Sequence, residues 1–268
     1  MADRTLPAVL DLLRERGAVS KLESDRITVG ERTVLVELVD SVDDRRVGGL
    51  THRPAGSDRS VTAKNIESLL EPITAAENAD RLDLAAAIAT LNALSAPLIN
   101  WSRGDPMELL ASDVETVVTV GLFKPAMGKF DDIELRIIER GDCDPPSREG
   151  IEVRLFTPEE AGAAMVGADV VFITGSTLLY GGLDRYLGLT PADATVVLVG
   201  ATASFLPTPL FDAGVDIVAG AVVSDPIQVR EAVKAGACGT ELHKSGVDKT
   251  YVLAESADHD SPHLRFDT

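Results

Sequence analysis

The residues best suited to chemistry are Thr174-Gly175-Ser176-Thr177, which directly follow the apolar run Asp169-Val170-Val171-Phe172-Ile173. A run without a polar face reads as a strand covered on both sides, as in a parallel sheet, and ligands of such sheets bind beyond the carboxyl ends of the strands. Hydroxyls at Thr174, Ser176 and Thr177, with close backbone approach at Gly175, suit a phosphate, carboxylate or other oxyanion. The same residues also serve as an ordinary strand-to-helix turn capped by Ser or Thr. Two further turns have this character. Gly121-Leu122-Phe123-Lys124 follows Val118-Thr119-Val120, and Gly200-Ala201-Thr202 follows Val197-Leu198-Val199. Three such turns from one sheet are expected to converge on one edge, with Lys124 as the cationic contact among them.

Glu139 lies 18 residues beyond Gly121, about where dinucleotide folds place the acid that holds a ribose hydroxyl. The glycines do not form G-x-G-x-x-G, and Phe123-Lys124-Pro125 fills the place where a pyrophosphate needs bare backbone. Glu139 can equally be a solvated charge beside Arg140. For nucleophilic catalysis there is no G-x-S-x-G elbow, and His52, His243, His259 and His263 lie in no motif that names a partner. His259 and His263 are separated by Pro262, and Asp142-Cys143-Asp144 runs into Pro145-Pro146, so neither reads as a closed metal site. Cys143 and Cys238 match no C-x-x-C pattern.

The elements that must position these residues change character near Gly104-Asp105-Pro106. Before it, residues 5–16 carry Leu6, Val9, Leu10 and Leu13 at helical spacing, stopped by Gly17. Arg26–Val29 and Thr33–Val39 form a hairpin around Gly30-Glu31-Arg32, and Val47-Gly48-Gly49-Leu50-Thr51-His52 is a third strand whose glycines let another backbone pass close. A short helix over 62–70 ends near Pro72. A longer one over 81–94 has alanines on several faces, which implies tight packing, and Asn92 near its end either caps it or looks into a cleft. After the boundary, strands at 114–120, 133–139, 169–173, 195–199 and 215–219 alternate with helices, and Tyr251-Val252-Leu253 adds a late strand. The expectation is an α/β protein with a doubly wound, mostly parallel Rossmann-like sheet preceded by a smaller α+β domain. Its domains span 1–103 and 104–254, with a frayed acidic tail over 255–268.

The chain carries 43 acids against 25 bases, a formal charge of −18. The bases do not cluster, so this field excludes nucleic acid and anionic membranes as partners. Dispersed acids, with arginine well ahead of lysine, suit a salt-rich cytoplasm; a merely acidic mesophilic protein is the alternative. Every apolar run is interrupted by charge, and the amino terminus lacks a signal layout, so a cytoplasmic location is expected. Aromatic residues make up only 4% of the chain, leaving a core of Val, Leu, Ile and Ala.

The segments VFITGSTLLYGGLDRYLGL and VVLVGATASFLPTPLFDAGVDIVAGAVVSDPIQVREAVKAG resemble a prokaryotic heavy-metal chelation family. There, a Rossmann-like domain follows one similar to the enolase N-terminal fold, which the Gly48-Gly49-Leu50 strand and the Ala86–Ala93 helix resemble in turn. The chain departs from the family pattern at Tyr180, where Asn is usual, and at Gly200-Ala201-Thr202, where Gly-Pro-Ser is usual. The resemblance implies a cleft between the domains that binds a small ligand or a divalent metal. Thr174, Gly175, Ser176, Thr177, Gly121, Phe123, Lys124, Gly200 and Thr202 would line it, with Asn92 and His52 contributed by the first domain. The alternative is an enzyme of methyltransferase or dehydrogenase type, using a nucleotide-like cofactor with Glu139 on its ribose. A homo-oligomer is compatible with either.

Overall fold

The computed structural model describes residues 4–265 except 41, 57–59, 63–64, 76–78, 124, 142, 145–146, 256, 258–260 and 262. Helix α1 (Thr5–Glu15) buries Leu6, Val9, Leu10 and Leu13 and stops at Gly17, whose φ of 67° few other residues adopt. Strands β1 (Leu22–Val29), β2 (Thr33–Asp40) and β3 (Arg46–His52) form an antiparallel sheet in that order, closed at the hairpin by Gly30 N–H donating to the Thr33 carbonyl at 2.8 Å. Helix α2 (Ile66–Thr74) is capped by Asn65, whose side chain accepts from Ser68 N–H. It runs through Pro72 rather than ending there. The missing donor is tolerated because the last turn still closes, Ala75 N–H donating to the Glu71 carbonyl at 3.0 Å.

Helix α3 (Arg81–Ser95), capped by Asp80, is buried at every position from Ala85 to Ser95. A helix covered on all sides needs small residues where neighbours approach. Gly49 of β3 shows how near one comes: a Cβ there would sit 1.9 Å from the Ala89 carbonyl oxygen and 2.5 Å from Ala93 N. The close backbone passage expected of the β3 glycines is present.

The second sheet has eight strands in the order β4-β11-β10-β9-β8-β5-β6-β7. These are β4 (Ser102–Arg103), β5 (Thr116–Val120), β6 (Ile133–Ile138), β7 (Ile151–Phe156), β8 (Val170–Thr174), β9 (Thr195–Val199), β10 (Ile217–Val223) and β11 (Val247–Leu253). All pairs from β10 to β7 are parallel, and β11 and β4 are antiparallel. From β7 to β10 the order is that of a doubly wound sheet, with successive strands laid down outward in opposite directions from the β5–β8 crevice. The short helices α4 (Ala126–Lys129), α5 (Ala161–Met165), α6 (Thr177–Tyr180), α7 (Leu183–Leu187) and α8 (Thr208–Asp212) and the longer α9 (Pro226–Lys234) connect the strands. One face of this sheet shares a core with α1, α2 and α3; the other buries Met107, Leu110, Phe130 and Phe172.

Several strands depart from expectation: β1 starts four residues before Arg26, β10 spans 217–223 rather than 215–219, and the two-residue β4 was not expected. β7 was not foreseen because Ile-Glu-Val-Arg-Leu-Phe alternates with charge at a sheet edge instead of presenting a continuous apolar run. β11 starts four residues earlier than the apolar triplet that marks it. The described tail residues are not frayed: Arg265 N–H donates to the Leu109 carbonyl at 2.7 Å, Ser261 Oγ donates to Asp216 at 2.9 Å, and Ala257 is 1% exposed.

The small sheet is tied to α9, which packs against it, by Glu37 of β2. This fully buried carboxylate accepts from Arg230 Nε at 2.8 Å and Nη2 at 2.5 Å, and the pairing raises the Arg230 pKa. Removing one member strands a buried charge. Arg230→Met should therefore destabilise the fold by about 3–5 kcal/mol, and adding Glu37→Leu should recover most of that loss in urea unfolding. Gly49→Ala should cost roughly 3 kcal/mol, the upper end of overpacking, read in the same assay.

Candidate functional site

At the β5–β8 crevice two of the three anticipated tips open onto a cleft of about 430 Å³. Gly121 ends β5 with φ 83° and its N–H on the Ile138 carbonyl; a Cβ there would lie 2.6 Å from Thr174 Oγ1, so the tips approach this closely only with glycine. At the β8 tip, Thr174 Oγ1 and Ser176 Oγ share a hydrogen bond of 2.7 Å, and Thr177 Oγ1 donates back to the Thr174 carbonyl at 2.9 Å. Thr174, Ser176 and Thr177 all line the cleft, while Gly175 packs inward, with its N–H on the Val199 carbonyl at 2.7 Å.

The remaining walls come from separate elements. Glu139, beyond β6, accepts from Leu122 N–H at 3.1 Å through one oxygen and from Arg140 N–H at 2.9 Å through the other, fixing both turns. Tyr180, at the end of α6, lies under the Arg140 guanidinium at 4.1 Å from its ring centroid and under that of Arg81 at 5.4 Å. Neither arginine has a carboxylate partner among the described residues, in a chain where acids are in large excess. His52, at the end of β3, lies 6.4 Å from Tyr180 ring to ring; burial, and then the nearby Arg32 charge, lower its pKa from 6.5. Tyr186 of α7 also lines the cleft, and burial raises its phenol pKa.

The third tip is closed. Gly200 turns with φ 119°, and Thr202, 4% exposed, accepts from His52 N–H at 3.1 Å and from Thr51 Oγ1 at 3.3 Å. Asn92 neither caps α3 nor faces the cleft; its Nδ2 donates to the carbonyls of Leu50 (2.7 Å), Ala201 (3.0 Å) and Thr202 (3.3 Å). Thr202 and Asn92 therefore latch the small sheet onto the β9 tip; Gly200, whose N–H bonds the Ala219 carbonyl, is exposed, and none of the three lines the cleft. Phe123 turns to the far face of the sheet, 5.1 Å from Phe172. Lys124, Asp142 and His259 lie outside the described residues. Arg140, Tyr180 and Tyr186 line the cleft, and Arg81 reaches the Tyr180 ring, without any of the four standing in a sequence motif. Arg140 was detectable as the residue following a strand end, whereas Arg81 is brought in by a distant helix start.

A larger groove of about 560 Å³ lies between α1, β1 and α2; there Arg14 pairs with Glu67 at 2.8 Å, and Asn65 caps α2. Among the described residues no three His, Cys, Asp or Glu side chains come together as a metal site. A soft metal favours thiolate, and neither Cys143 nor Cys238 lines the cleft. The described cleft offers hydroxyls, phenols, a guanidinium, a neutral imidazole and one carboxylate, Glu139, whose two oxygens already accept backbone amides, a set that favours an oxyanion over a bare cation. Among the described residues no helix is long and apolar enough to cross a membrane.

No curated protein matches the chain. A protein of unknown function from Pyrococcus horikoshii is similar in structure, with TM-score 0.75 and 16% identity over 93% of this chain and 100% of that one. A second, from Desulfitobacterium hafniense, has TM-score 0.65 and 15% identity over 95% of this chain and 100% of that one. At these identities the likeness is one of fold, and both proteins are assigned to the DUF364 family. Residues 105–252, more than half of the chain, match that same family, whose description reads "Putative heavy-metal chelation", and the chain belongs to it.

Proposed function

We propose that the chain binds a small anionic metabolite in the cleft beyond β5, β6 and β8, and that any metal enters as that ligand's chelate. The observation that carries this reading is the Arg140 guanidinium, which lines the cleft with the hydroxyls of Thr174 and Ser176, lies on the Tyr180 ring and has no carboxylate partner among the described residues. An arginine left unpaired in so acidic a chain is available to an incoming anion, and a partly enclosed site strengthens that attraction. The family's description is consistent with a metal arriving on an anionic carrier.

A nucleotide-like cofactor is the second reading, favoured by Glu139 at the end of the strand next to the crevice. Against it, α4 has four residues, too short to offer a pyrophosphate a helix end, and both Glu139 oxygens accept backbone amides.

Titration calorimetry with inorganic phosphate, citrate and AMP, each with and without a divalent metal, separates these readings. The anion reading expects citrate or phosphate to bind without metal, and metal alone to give no heat. Arg140→Gln should weaken binding by about 10–100-fold, the worth of one charge-assisted hydrogen bond. Binding of AMP alone would favour the cofactor, and unchanged affinity in Arg140→Gln would remove the proposal. His52 adds a pH signature. It is held neutral, and an anion seated beside it would raise its pKa. Affinity should then strengthen as pH falls toward and below 6.5, with proton uptake seen as buffer-dependent heat that His52→Gln abolishes.

A further inference from the structure

The two edges of the eight-stranded sheet are protected differently. β4, at one end, has two residues and offers little to pair with. β7, at the other, has six residues without proline, and its described partner is β6 alone. Phe156 turns its carbonyl inward to accept Glu139 N–H at 3.0 Å. By strand alternation Glu152 and Arg154 share that direction, so Ile151, Val153 and Leu155 point their backbone groups outward. Ile151 N–H is engaged by the Arg148 carbonyl at 3.2 Å, which leaves the Val153 and Leu155 groups and the Ile151 carbonyl on the open edge. Leu155 is 46% exposed, where the central strands are fully covered. An edge of this length and composition is a template for another strand.

We propose that β7 is a self-association surface, pairing antiparallel with β7 of a second copy about a twofold axis. The sequence selects the register. Outward-pointing residues must face each other, so allowed registers differ by steps of two. One step in one direction sets Glu152 opposite Glu152, and one step in the other sets Arg154 opposite Arg154; like charges directly opposite destabilise a sheet. Only the register centred on Val153 sets Glu152 opposite Arg154, twice by symmetry. It also matches Ile151 with Leu155 and Val153 with itself on the other face, and it uses the open donors: Val153 N–H to the Val153 carbonyl, and Leu155 N–H to the Ile151 carbonyl, in both directions. Arg154 already holds Glu134 at 2.9 Å, and its side chain remains 54% exposed, with donors left for a second carboxylate. The interface is isologous and joins the two large sheets into one.

Each copy carries a charge of −18, so association is measured at about 0.15 M salt or above, where repulsion is screened beyond about 8 Å. Sedimentation equilibrium of the full chain should give twice 28.3 kDa. Val153→Pro removes an outward N–H without touching the β6 ladder and should give a monomer with an unchanged circular-dichroism spectrum. Glu152→Arg and Arg154→Glu should each weaken self-association by about tenfold or more, because each sets like charges opposite. Mixed together, these two variants regain both Glu–Arg pairs and should form a heterodimer of wild-type strength. A wild type monomeric at every concentration, a dimer that survives Val153→Pro, or a mixture no stronger than its components would each overturn the proposal.

Discussion

The closest constraint in the molecule is the approach of α3 to β3 at Gly49, where two backbones meet with no room for a methyl group. That approach brings the Asn92 amide within reach of the Leu50 carbonyl and of the Ala201 and Thr202 carbonyls together. Through this amide, and through Thr202 beneath the His52 N–H, the small sheet is fixed to the β9 tip. The position of His52 beside the cleft follows from the latch. Arg81, which opens the same helix, is carried with it to the Tyr180 ring. Of the residues lining the cleft, His52 is the one supplied by the small sheet.

The electrostatics are local exceptions within an acidic whole. Carboxylates bind backbone at the lower edge of the sheet, where Asp169 accepts from Glu115 and Thr116 N–H at 2.8 Å and Asp216 accepts from Val196 N–H at 2.7 Å. These side chains tie the starts of neighbouring strands. At the upper edge Glu139 binds backbone in the same way, and two guanidiniums, those of Arg140 and Arg81, lie on the Tyr180 ring beside it.

Much of the fold was legible in the sequence, because covered parallel strands are written as unbroken apolar runs: 195–199 matches β9 residue for residue. β7 was not legible, since an edge strand alternates with charge and resembles a solvated loop. In the site, the hydroxyl turn at 174–177 could be picked out as a strand-end turn, but its residues suit an ordinary helix-starting turn equally well, and it is the fold that puts them on the cleft. The fate of Thr202 was not: a buried hydroxyl and a ligand-binding one have the same sequence signature, and only the arrival of β3 distinguishes them. Arg81 and Tyr180 lie about a hundred residues apart, and their meeting depends on how α3 crosses the sheet.

β4 joins the sheet only through β11, with Ser102 opposite Tyr251 and Arg103 opposite Thr250. The segment leaving the small sheet is therefore anchored by a strand nearly 150 residues downstream. Contacts of such long sequence separation are slow to form, since loop-closure entropy is lost before any pairing compensates for it. In refolding, the parallel centre of the sheet would consolidate first, and the junction between the two sheets would close last.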